Sequence, residues 1–190
     1  MSLQRASSGR NWLCRLGAKV GRDRSGQALV EAALVFPILI SLFLGVSEFS
    51  EGFTLKRRLE IAANTSADLI ARVRSLRTAE LNAIKPMIDE IIKPFPNTTL
   101  GLVMTSVVAD ETNTTRVVWS HAQGPGVSAR AEGAAVVLPA GLTEPNTSII
   151  LAEVTYVFRS TLGSMIVGDI PFRAEAYMRP RLSTEVDKLD

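Results

Sequence analysis

Residues 26–46 read GQALVEAALVFPILISLFLGV, an apolar run broken by one charge, Glu31. At about 1.5 Å rise per residue, the helix from Ala28 to Val46 would span about 28 Å, close to the ~30 Å hydrocarbon core of a bilayer. The run therefore reads as a transmembrane helix. Pro37 lies inside it and removes one helix hydrogen bond, which predicts a kink of the kind membrane helices tolerate. A carboxylate costs roughly 2.5–3.5 kcal/mol at the centre of such a helix and less near an end, so Glu31 calls for a role. On the residues alone two are open. Glu31 snorkels to the interface near the helix start, or it pairs with a cation supplied from elsewhere.

Charge gives the run a direction. The chain has 190 residues and a net charge of +2, but the first 26 residues carry Arg5, Arg10, Arg15, Lys19, Arg22 and Arg24 against Asp23 alone. Dense basic charge before a span predicts a cytoplasmic N-terminus. Lys56, Arg57 and Arg58 follow on the far side, behind Glu48 and Glu51, which sit nearer the helix end. Trp12 is the one aromatic residue among these 26, so the segment reads as topogenic rather than nucleic-acid-binding. The single cysteine, Cys14, lies there too, which excludes an internal disulfide and a cysteine metal site. A secretory signal has a shorter apolar core, of about 7–15 residues, before a small-residue cleavage site. Gly45-Val46-Ser47 offers such a site, so a secreted domain released there is an alternative.

Past Gly45 the pattern becomes amphipathic. Leu55, Leu59, Ala62, Ser66, Leu69, Val73 and Leu76 recur at steps of three and four, one face of a continuing helix. A second helix is predicted over residues 79–93, with Pro86 marking its start or a kink and Pro94 and Pro96 ending it. From Thr98 the composition turns to strands, predicted over residues 100–108, 116–121, 149–158 and 172–179, with a short one at 136–138. Helices first and strands after predict an α+β fold with a small antiparallel sheet. The expected organisation is a basic leader (1–26), a transmembrane helix (27–47), an amphipathic helical region (48–97), a β-rich domain (98–182) and a tail (183–190).

Chemistry-bearing constellations are sparse. His121 is the single histidine, too few for a triad or a zinc site. Gly124-Pro125-Gly126 lacks the lysine and helix of a phosphate loop. Asp89-Glu90 and Asp110-Glu111 read as solvated surface. The expectation is a non-enzymatic protein that uses no cofactor or metal.

The junction itself is more specific. Arg24-Ser25-Gly26-Gln27-Ala28-Leu29-Val30-Glu31 resembles the processing site of type IV pilin-like proteins, and RSGQALVEAALVFPILISLFLGVSEF resembles the N-terminus of the TadE-like family of the tight-adherence (Flp) pilus machinery. The resemblance covers about residues 22–60. Beyond them only Val154-Thr155-Tyr156 and Tyr177-Met178-Arg179-Pro180-Arg181 are similar. Ala32 and Gln27 depart from the pilins of that system. The resemblance implies a pilin-like layout, cleavage after Gly26 by a prepilin peptidase, and Gln27 as the new N-terminus. Glu31 would then pair with the terminal amine of a neighbouring subunit. It also implies a bacterial inner-membrane protein with a periplasmic domain, working with pilin-like subunits and assembly proteins as a hetero-oligomer. A processed minor pseudopilin and an unprocessed membrane scaffold both fit that picture.

Overall fold

The structure, a computed structural model, describes residues 24–160 and 168–189. Residues 1–23 of the leader, with Trp12 and Cys14, lie outside the described residues. Contacts divide the protein between Ser47 and Glu48 into two compact units. The architecture is α+β: a long N-terminal apolar helix and a small antiparallel sheet domain.

Helix α1 runs Arg24–Ala71. From Gly26 to Ser47 every residue but half-buried Leu44 is exposed, and the segment is long and apolar enough to cross a membrane. From Glu48 the same helix carries the stripe expected from the sequence. Leu55, Leu59, Ala62 and Ser66 are buried, and Ala63, Ala67, Ile70 and Ala71 widen the stripe. Ser66 satisfies its hydroxyl by donating to the Ala62 carbonyl at 2.8 Å, so it sits in the core without an orphaned donor.

The helix stops at Ala71, short of Val73 and Leu76, which the periodicity places on it. The C-terminal segment competes for the backbone there. Arg181 N–H donates to the Ala71 carbonyl at 2.8 Å, and Ser75–Leu76 form a strand, β1. Leu76 still reaches the core. Helix α2, Thr78–Ile92, buries Leu81, Ile84, Ile88 and Ile92. Its start is held by Glu80, whose carboxylate accepts the Arg77 N–H at 2.8 Å. Pro86 lies inside α2 rather than at its start.

After a 3₁₀ turn at Asn97–Thr99 come β2 (Gly101–Ala109), β3 (Thr115–Gln123), β4 (Ser148–Phe158) and β5 (Ile170–Met178). They form one antiparallel sheet in the order β3-β2-β4-β5. Leu102 lies opposite Val154, and Val154 opposite Ala174, so one parity of residues lines up across three strands. That parity (Leu102, Met104, Ile150, Ala152, Val154, Tyr156, Ala174, Ala176) joins the α1 and α2 stripes in a single core. Phe158 meets Phe95 and Phe172 edge-on, with ring centroids 6.4 and 6.1 Å apart.

The strand expected at 136–138 does not form. Only Ala135 bridges to Arg116, Val137 is 98% exposed, and Pro139 has no N–H to extend a ladder. This segment belongs to the connection from β3 to β4, which folds back over the sheet's second face. A Cβ on Gly101 would stand 2.5 Å from Val127 of that connection and 2.6 Å from the Thr155 hydroxyl, so glycine is required there.

Residues 183–189 are more than a tail. Asp187–Lys188 form β6, pairing parallel with β1, and Val186 is fully buried. Trp119 donates its indole N–H to the Val186 carbonyl at 2.7 Å, and Ser148 donates to the Thr184 carbonyl at 2.5 Å. Losing one buried valine and these bonds implies a cost of roughly 2–4 kcal/mol. Deleting residues 184–190 should therefore lower the denaturation midpoint by that equivalent and shift tryptophan emission to the red.

Candidate functional site

The residues singled out at the helix start share α1 but not one place on it. Gln27 and Glu31 are four residues apart, one helical turn and about 6 Å along the axis, on one face with Leu34, Val35 and Ile38. Both are exposed, and Glu31 is the only acidic or basic residue between Gly26 and Ser47. Pro37, six residues beyond Glu31, lies on another side of the helix. The helix continues through it, and Ser41 donates its hydroxyl to the Pro37 carbonyl at 2.8 Å. That bond keeps the serine satisfied within its own backbone, as a lipid-facing position requires. A Cβ built on Gly26 meets nothing within 4 Å, so no contact among the described residues demands glycine there.

The second unit holds a charged cluster that the sequence reading did not single out. Glu153, on central strand β4, is only 5% exposed. It accepts hydrogen bonds from Arg130 of the β3–β4 connection and from Arg173 of β5, one guanidinium on each carboxylate oxygen. Arg130 also reaches the Thr105 hydroxyl at 3.3 Å, which lies 3.0 Å from that of Ser120. On the other flank Arg173 pairs with Glu175 at 2.8 Å, and Tyr177 donates to Glu175 at 2.5 Å. Polar bonds thus cross all four strands on the face away from the helices. Burial pushes the Glu153 carboxyl up, but the two guanidiniums, Arg130 foremost, outweigh it and hold it below the usual carboxylate range. Tyr177 is pushed up to about 12 by burial and by Glu175. A lone acid inside the run Ile149–Phe158 was the available signal, because a charge in a buried strand needs a partner.

Two further features complete the unit. An apolar cleft of about 330 Å³ is lined by Phe49, Gly52, Phe53, Phe158, Ile170 and Phe172. At its edge Ser160 donates to Glu48. Its walls are mostly apolar, with Glu48, Lys56 and Ser160 as the polar residues of the lining. His121 is half-buried and 2.9 Å from the Asn82 side-chain oxygen, and burial with nearby Lys188 holds its pKa below the ordinary value.

Residues 26–68 match the family model described as TadE-like protein, which bears out the resemblance at the helix start. No curated protein and no solved structure matches the sequence. The match takes in the whole membrane-length segment and most of the buried stripe of α1, and leaves α2 and the sheet outside it.

A carboxyl held below its ordinary pKa stabilises the fold above that value, and the contribution is lost as pH falls through the lower, folded value. Glu153→Gln should cost about 1–3 kcal/mol at neutral pH. It should also flatten the acid limb below about pH 4 in denaturation profiles followed by near-ultraviolet circular dichroism.

Proposed function

We propose that this protein is a single-pass component of a tight-adherence pilus assembly system, acting as a pseudopilin-like subunit through contacts with other subunits. One observation carries the reading. The exposed, membrane-length segment of α1 begins at Gly26 and bears one carboxyl side chain five residues on, within the stretch that matches the TadE-like model. The protein sits in the bacterial inner membrane with its N-terminus in the cytoplasm and the sheet domain in the periplasm. Six basic residues against one acid before the span support that orientation.

In this reading a prepilin peptidase cuts after Gly26. The open surroundings of Gly26 support it, because the requirement for glycine then lies with the enzyme rather than with internal packing. Cleavage frees an α-ammonium at Gln27, and Glu31 of a neighbouring pilin-like subunit pairs with it. The pair adds little net stability, since both groups lose water, but an unpaired charge among packed apolar helices is costly. Pairing therefore sets the axial register between subunits. The exposed apolar surface of residues 28–46 supplies the packing that such register would organise.

Glu31→Gln and Glu31→Leu should reduce fibres counted by electron microscopy about tenfold or more, the equivalent of some 1.4 kcal/mol of subunit contact. The polypeptide should remain in the membrane fraction. Gly26→Ala should leave the leader attached, visible as a larger species on gels. Normal piliation in the Glu31 variants would overturn the pairing role. Recovery of the wild-type protein wholly in the soluble periplasm would favour release near Ser47 instead.

A further inference from the structure

Processing after Gly26 would expose glutamine, and a terminal glutamine has chemistry of its own. Its α-amine attacks the carbonyl carbon of its own side-chain amide. A new C–N bond closes a five-membered lactam, the bond from that carbon to the amide nitrogen breaks, and ammonia leaves with the proton the amine gives up. No oxidant or co-reactant is consumed. We propose that Gln27, once it is the first residue, is a site of pyroglutamyl ring formation, and that Glu31 holds this reaction in check. The proposal rests on the reading of Gly26–Gln27 as the processed bond.

Three placements support it. Gln27 lies exposed in the first turn of α1, so the ring closes without displacing a neighbouring side group. Only a neutral amine attacks, and the positive end of a helix together with apolar surroundings disfavours the ammonium. Glu31 opposes both influences. It stands one turn on, on the same face, and helical side chains lean toward the N-terminus. Its carboxylate, or that of a neighbouring subunit, keeps the amine charged and unreactive. A paired subunit thus keeps an open terminus. An unpaired one closes irreversibly and loses the cation that Glu31 of the next subunit would meet, which removes it from the pool competent to assemble.

The test reads the terminus of the full-length protein, taken from membranes of cells that also make the prepilin peptidase. Amines are blocked by reductive methylation with isotopic formaldehyde at lysis, before any acid step, and the N-terminal peptide is weighed. A closed terminus is lighter than the open form by one ammonia, takes no label, and is released by pyroglutamyl aminopeptidase. Both forms, beginning at Gln27, are expected in the wild type. The closed share should rise roughly threefold or more in Glu31→Gln, the change that half a pKa unit makes in the neutral fraction of an amine. Gln27→Ala should give only open termini. Open or N-methylated Gln27 in both backgrounds would sink ring formation while leaving the processing reading intact. Equal closed shares would remove the role of Glu31. Retention of Met1 would refute the processing reading, and this proposal with it.

Discussion

Backbone hydrogen bonding is the constraint on which the rest depends. In hydrocarbon no water is available to an unpaired N–H or C=O, so a spanning segment must satisfy them within itself. Residues 26–47 do so as helix, and even Ser41 turns its hydroxyl back onto its own backbone. Past Ser47 the same secondary structure serves a different end. The side groups change from mostly apolar to striped, and the helix becomes one wall of the hydrophobic core. A single element thus answers two solvents by changing its side groups while its backbone pattern stays the same.

The sheet shows a comparable division between its faces. Toward the helices it presents Leu, Ile, Val and Ala, whose burial provides the main driving force for folding. On the other face the central acid Glu153 is matched by two arginines from different segments. Such an arrangement contributes modestly to stability when complete and costs heavily when a partner is lost. Its effect here is to help fasten the long β3–β4 connection to the sheet, since Arg130 of that connection bonds both Thr105 of β2 and Glu153 of β4.

What could be read in the sequence followed from local rules. The span, the amphipathic continuation, α2 and the four main strands announce themselves through length, periodicity and β-branched composition, and the structure places these strands within one or two residues of expectation. Failures occur where distant segments compete. Periodicity draws the helix through Val73 and Leu76 because it cannot register that Arg181 takes the Ala71 carbonyl. The strand at 136–138 looks adequate by composition, but pairing is non-local, and Pro139 with solvent-facing Val137 leaves only one bridge. At the candidate site Glu31 was legible because a charge in a membrane-length run has few innocent explanations. Glu153 escaped because its partners lie 23 and 20 residues away.

The junction of β1 with β6 has a consequence for how the molecule comes into being. Val186 seals the core and Asp187 N–H meets the Arg74 carbonyl, so these residues complete a wall begun more than a hundred residues earlier. Closure must await residues 186–188, and contacts so widely separated in sequence form slowly. Until they arrive, the Trp119 indole lacks the Val186 carbonyl that accepts its N–H. That makes the interval before closure the period when this protein most needs shelter from its neighbours.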